Sequence, residues 1–306
     1  NIVGSPNENY AREILELHTF GVNNGYIHED IVQAARCFTG WSIRKGKFYF
    51  NPRYHDYGEK YLPSLSLYIP PGGGFIDGIM VIDALVDSRN CAEYIAWKLC
   101  QLFIGDDPPA NAVTAAATTF HNTNGDIKQV LNTIFNHPRF RTDQNYRQNK
   151  VKTPLEFMTS VVRVTESTPA FHGMDFYLEK MGMELFEYPF PTGFEEAGDF
   201  WINTNSLLFR WNFVHLVTSN RGDSSSPSMK IADFINSRGL TTSDEVMSLL
   251  EGLTTHNRQH ASVNSLLEDY LTNQDPGNFS VTPETIDQEI RHTFSLFMRL
   301  PEFNRQ

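Results

Sequence analysis

The chain has 306 residues, 40% of them apolar and 20% charged, with 23 Phe, 12 Tyr and 4 Trp, which is ample material for a buried core and unlike a disordered composition. Its 36 acidic and 25 basic residues leave a net charge of −11, which argues against the clustered cations that a phosphate backbone requires, so nucleic acid is not an expected partner. No stretch approaches the ~20 consecutive apolar residues of a membrane-spanning helix, and Cys37, Cys91 and Cys100 form no Cys-x-x-Cys pair that would mark a zinc ribbon.

Ser5-Pro6-Asn7-Glu8 reads as a capping box, with Ser5 as N-cap, Pro6 at the first helical position and Glu8 three residues after the serine. The helix it opens is expected to run to about Thr19, with Gly21 placed to end it. Ile31, Ala34, Ala35, Phe38 and Trp41 then recur with helical period behind the acidic start Glu29-Asp30. Trp41–Arg44 and Lys47–Phe50, divided by Lys45-Gly46, predict a short hairpin, the one strand signal in the chain. From Asn51 to Asp77, Pro52, Pro63, Pro70, Pro71 and Gly72-Gly73-Gly74 forbid regular helix and predict a long ordered loop, the kind of segment that often carries function.

Helical stripes resume at Ile79, Ile82, Leu85 and Val86, at Ile95, Leu99, Leu102 and Phe103, and at Ile127, Val130, Leu131, Ile134 and Phe135. Thr153-Pro154 with Glu156 predicts another helix start, Tyr188 to Phe194 is a second Pro/Gly-rich loop, and further helices are expected from about Ser206, Ser228, Ser243, Ala261 and Pro283. The expected fold is mostly α, an irregular multi-helix globular bundle with one short β-hairpin and long Pro/Gly-rich loops. It is read as a single helical domain over 1–306, with subdivision near 143–152 and 219–227 left open. Asn1 reads as a processing point or an imposed boundary, so an upstream segment is expected.

The run from Pro6-Asn-Glu-Asn-Tyr-Ala-Arg-Glu to His18-Thr-Phe-Gly-Val, followed by Gly25-Tyr, Asp30 and Phe38-Thr-Gly-Trp, strongly resembles the bacterial family called domain of unknown function 1800. His55-Asp-x-Gly-x-Lys60, Gly73-Gly-x-x-Asp-Gly78, Lys98-Leu-Cys, Lys152-x-Pro-x-Glu156, Trp201, Arg210 and Pro301-Glu-Phe resemble later landmarks in the same order, so the likeness spans nearly the whole chain. The resemblance implies export, to the periplasm or the extracellular space. It also implies a longer front, with an export signal and a helical region that this chain lacks. It implies no reaction. Its own upstream fragment or another envelope protein is the implied partner.

On the first helix Asn9, Arg12, Glu13 and Glu16 share one polar face. One reading is a solvated stripe of ordinary i,i+4 ion pairs. The other turns the face into a cleft, with Glu16 and His18 as proton-transfer groups or metal ligands and Arg12 and Asn9 binding substrate, Arg12 through an anionic group. In the loop that follows, His55 and Asp56 are candidate catalytic groups or ligands of a divalent metal, with Lys60 as a further anion-binding side chain; a surface histidine is the plainer reading. Asp77 reads as the cap of a helix beginning near Gly78. Cys100, Trp201, Phe209 and Trp211 read as core. No Gly-x-Ser-x-Gly, His-Glu-x-x-His or phosphate-loop motif is present. Two functions remain open: a metal-assisted or His/carboxylate hydrolase of an extracellular or envelope polymer, or an envelope scaffold or binding module that buries these groups as a network.

Overall fold

The structure, a computed structural model, describes residues 1–147, 149–219 and 226–306. Its contacts cluster into two compact units, Asn1–Arg147 and Gln148–Gln306. The candidate division at 219–227 falls mostly outside the described residues. Among the described residues the fold is mostly helical, with two small antiparallel sheets of two strands each.

In the first unit α1 (Glu8–Glu13) passes directly into a π-helical stretch, Ile14–Thr19, in which Phe20 N–H reaches back to the Leu15 carbonyl at 2.8 Å. The N-cap is Asn7, whose side chain accepts from the Tyr10 amide at 3.1 Å, two residues later than the Ser5 box predicts. Helix α2 (His28–Cys37) buries Ile31, Ala34, Ala35 and Cys37 and stops before Trp41, which belongs to the hairpin. Strands β1 (Trp41–Arg44) and β2 (Lys47–Phe50) pair Trp41 with Phe50 and Ile43 with Phe48. Lys45 and Gly46, at φ +52° and +72°, supply the two left-handed positions that a tight hairpin turn demands.

The Pro/Gly-rich segment carries one more element than expected: β3 (Lys60–Leu62) pairs with β4 (Leu67–Ile69) across a Pro63–Leu65 turn. Three-residue strands among prolines give too little alternation to be read from sequence. Helices α3 (Ile76–Asp87), α4 (Arg89–Phe103), α5 (Ala110–Asn122), α6 (Ile127–Asn136) and the single turn α7 (Pro138–Arg141) complete the unit around a core of Leu15, Phe20, Phe38, Leu62, Ile69, Val81, Leu85 and Ile134.

The second unit contains α8 (Pro154–Val164), α9 (Phe171–Lys180), α10 (Thr204–Thr218), α11 (Ile231–Asn236), α12 (Ser243–Thr254), α13 (Ala261–Leu271), α14 (Pro283–Thr285) and, after a π-helical turn over Ile286–Ile290, α15 (Arg291–Phe297). Thr153 is the expected N-cap of α8 with Pro154 at the first position, and with Glu156 it forms a capping box, Thr153 N–H donating to Glu156 at 2.8 Å. The core gathers Phe157, Val161, Phe213, Val217, Leu250, Ile290, Phe294 and Phe303. Trp201 is buried as expected, whereas Trp211 lies on the outward side of α10 and is exposed. Among the described residues no helix is long and apolar enough to cross a membrane.

Candidate functional site

A dense cluster of buried polar groups lies where the Pro/Gly-rich segment folds over the end of α2 and the start of α3. A short turn, Pro52–Tyr54, delivers His55 inward, β3 begins with Lys60, and Asp77 stands in the first turn of α3. Lys60 Nζ donates to Asp77 Oδ2 at 2.6 Å and to the Asp56 carbonyl at 2.5 Å. His55 Nδ1 lies 2.7 Å from the Thr39 carbonyl; that oxygen can only accept, so Nδ1 carries the hydrogen, and Nε2 faces Asp77 Oδ2 at 3.2 Å. The side chains of His55, Lys60 and Asp77 are all 0% exposed.

Asp77 therefore does not cap its helix as sequence reading proposes. The N-cap position is Phe75, without a side-chain cap, and the carboxylate turns into the interior to meet Lys60. Gly73 makes this possible, because a Cβ there would sit 1.9 Å from Asp77 Oδ1. That oxygen is buried and has no hydrogen-bond partner. Gly40, at φ +83°, lets the chain turn between α2 and β1 while a Cβ would come within 2.8 Å of the Asn51 carbonyl and 3.3 Å of His55 Cβ.

Thr39, His55 and Asp77 align like a nucleophile, base and orienting acid, with Thr39 Oγ1 3.3 Å from His55 Nδ1. The threonine hydroxyl is committed elsewhere. It donates to the Arg36 carbonyl at 2.6 Å and accepts the Asp56 amide at 2.8 Å, and Thr39 is fully buried. Asp56 points away from His55 to Arg36, whose Nε and Nη2 reach its two oxygens at 2.8 and 3.4 Å. The Arg36 hydrogen bond, with help from the Gly58 amide, holds the Asp56 carboxyl below the usual carboxylate range. Cys37 is inert for the opposite reason, since burial pushes its thiol up to about 12.

The other predicted residues gather in a separate, partly open set. Arg12 Nη1 meets Glu16 Oε1 at 3.3 Å, and the same oxygen accepts from Tyr26 at 2.9 Å. Burial, then the neighbouring Glu16, raises the Tyr26 hydroxyl above its ordinary value. Asn9 and His18 are exposed. Among the described residues no hydrogen bond, ion pair or ring contact joins Arg12, Glu16 or His18 to His55, Asp56 or Lys60. Nor do any three His, Cys, Asp or Glu side chains there sit where they could hold one metal ion. At the buried cluster, the Lys60 ammonium already fills the place of a cation against Asp77.

The second unit holds a comparable network. Arg210, fully buried, donates to Ser206 Oγ at 3.3 Å, Asn304 Oδ1 at 3.2 Å and the Lys152 carbonyl at 2.7 Å, with its guanidinium over the Phe157 ring. Lys152 Nζ donates to the Phe303 carbonyl at 2.8 Å, and burial brings its ammonium down to about 8. One open groove of the first unit, of about 670 Å³, runs along α4 and α5, lined by Tyr94, Trp97, Val113 and Ala117, with Arg89 and His121 among its polar walls.

Local sequence signals missed Thr39, Arg36 and the inward role of Asp77. The usable signal was long-range: His55, Lys60 and Asp77 stand in one breaker-rich segment, and a Gly-Gly pair before Asp77 is what a buried carboxylate beside the backbone needs. In comparisons with known proteins, the family model described as "Protein of unknown function (DUF1800)" matches residues 1–305. No curated protein and no solved structure matches the chain.

Proposed function

Because the chain belongs to the family described as Protein of unknown function (DUF1800), whose description names no reaction, we propose from its own geometry that it is an envelope binding or scaffold module. Its polar clusters act as internal struts in this reading, and export to the periplasm or beyond is the part that rests on family resemblance alone. The observation that carries it is the complete burial of the His55, Lys60 and Asp77 side chains. A hydrolytic base must reach substrate within hydrogen-bond distance, and a group without solvent access in a packed interior cannot do so.

Buried charge is tolerated only when paired, and the pairing itself does the work of fixing neighbouring chain. Lys60 ties β3 to α3 through Asp77 and to the His55 loop through the Asp56 carbonyl. Arg210 and Lys152 tie α10 and the chain before α8 to the closing segment near Asn304. Partner recognition then falls to the surface these struts hold in place.

Thermal unfolding of His55→Ala and Asp77→Asn tests the reading. Each is expected to lower Tm by roughly 5–15 °C, as an orphaned buried partner implies, while Glu16→Gln at a half-open pair shifts it by only about 1–2 °C. Unchanged melting of both buried-site variants would remove the structural role.

A specific observation keeps hydrolysis as a second reading. Glu16 and His18 sit in a π-helical stretch, a distortion common at functional sites, and Glu16 shares one oxygen between Arg12 and Tyr26. A loss of hydrolytic turnover in Glu16→Gln with melting intact would favour that reading.

A further inference from the structure

The hairpin β1–β2 has two chemically distinct faces. Its register places Trp41, Ile43, Phe48 and Phe50 on one side and Ser42, Arg44, Lys47 and Tyr49 on the other. The inner half of the apolar side is packed: Trp41 lies 5.1 Å from Phe38 and stacks on Phe75 at 5.7 Å, and Phe50 meets Phe75 and His55. The outer half is less covered: Phe48 meets Trp41 at 5.4 Å and Phe75 at 5.7 Å yet stays 57% exposed, and Ile43 is 79% exposed, beside a turn at which a Cβ on Gly46 would touch nothing within 4 Å. Among the described residues neither strand pairs with a third.

Charge on this segment runs against the rest of the protein. Residues 41–54 carry Arg44, Lys45, Lys47 and Arg53, all exposed, and no Asp or Glu, in a chain whose net charge is −11. The groove of about 740 Å³ beside it, walled by Tyr10, Trp41, Ile43 and Phe48, has Lys47 as its charged side chain. Exposed aliphatic and aromatic groups bracketed by cations, on an otherwise acidic protein, suit a surface that is anionic outside and apolar beneath.

We propose that this hairpin docks the protein on a bilayer containing anionic lipid, with Ile43 and Phe48 entering the headgroup boundary and Arg44, Lys45 and Lys47 reaching phosphate groups. Long basic side chains beside an apolar face adopt this arrangement at interfaces, and attraction to anionic lipid adds to apolar burial. An acidic peptide would engage the cations but leave the two exposed apolar side chains unused, so lipid fits the observations better. The inference goes beyond the binding or scaffold reading and depends on the hairpin, not on the buried network.

Flotation of the full chain with phosphatidylglycerol-containing vesicles, and with phosphatidylcholine vesicles as reference, provides the test. Binding is expected on the anionic vesicles, roughly tenfold or more weaker on the neutral ones and similarly weakened by Lys45→Glu with Lys47→Glu or by raised salt. Ile43→Ser is expected to weaken binding to anionic vesicles severalfold with melting unchanged, and Phe48→Ser to weaken it further while lowering Tm through lost contacts with Trp41 and Phe75. Absence of vesicle binding would overturn the proposal. So would anionic binding that ignores the Ser substitutions and is competed fully by polyglutamate, because the partner would then be an acidic polymer. A lowered Tm in His55→Ala with no vesicle binding in the parent would leave the buried-network reading standing and this one refuted.

Discussion

Lys60 and Asp77 bring opposite charges to 2.6 Å in a place where neither side chain touches solvent, and that makes the consequences of substitution asymmetric. Removing one partner leaves the other charged and buried, so Asp77→Ala is expected to cost about 3–5 kcal/mol in a denaturant titration. Replacing both, as Lys60→Met with Asp77→Leu, is expected to cost less than the sum of the single changes by 1 kcal/mol or more, a coupling that a double-mutant cycle measures. Purely additive costs would mean that the pair is not what fixes the site. Gly73→Ala is expected to be comparably damaging, since its new methyl would occupy the space of Asp77 Oδ1. Lys152 makes a pH prediction. Its folded-state value of about 8 lies below the ordinary 10.5, because burial disfavours the charged form. Between those values the unfolded chain binds more protons, so this group adds stability as pH rises through the window. Parent minus Lys152→Met stability should therefore increase from pH 8 towards 10.5; a flat difference would show that the lysine is not perturbed.

Elements were legible where one local signal sufficed. The hairpin follows from a Lys-Gly turn between two apolar-bearing tetrapeptides, and α8 from Thr153-Pro154 with Glu156, because turn chemistry and capping act within four residues. At the start of α1 the box read from Ser5 is not used, and Asn7, whose side chain accepts from the Tyr10 amide, is the N-cap. Asn7→Ala is expected to cost about 0.5–2 kcal/mol and Ser5→Ala almost nothing, measured by chemical denaturation. Equal effects would return the cap to Ser5. The short pair β3–β4 and the π-helical stretch Ile14–Thr19 were illegible, since each depends on tertiary contacts: β3 on the buried Lys60, the π-helix on neighbours such as Tyr94, whose hydroxyl lies 3.4 Å from the Leu17 carbonyl.

At the scale of the molecule, the mostly helical class followed from repeated 3.6-residue stripes, which need no knowledge of partners. The site did not follow in the same way. His55 and Lys60 were visible as polar residues in a breaker-rich segment, but whether they met Asp77 or the polar face of α1 depended on how the chain was routed over the 22-residue separation of His55 and Asp77. That routing buried them. Burial, in turn, separates a strut from a catalyst: identical side chains serve either role, and solvent access decides which. The most direct test is therefore the rate at which diethylpyrocarbonate modifies each histidine of the folded chain, resolved by peptide mass spectrometry. Exposed His18 is expected to react at once, and His55 only as fast as the protein unfolds; a His55 that reacts as rapidly as His18 would contradict a sealed structural network.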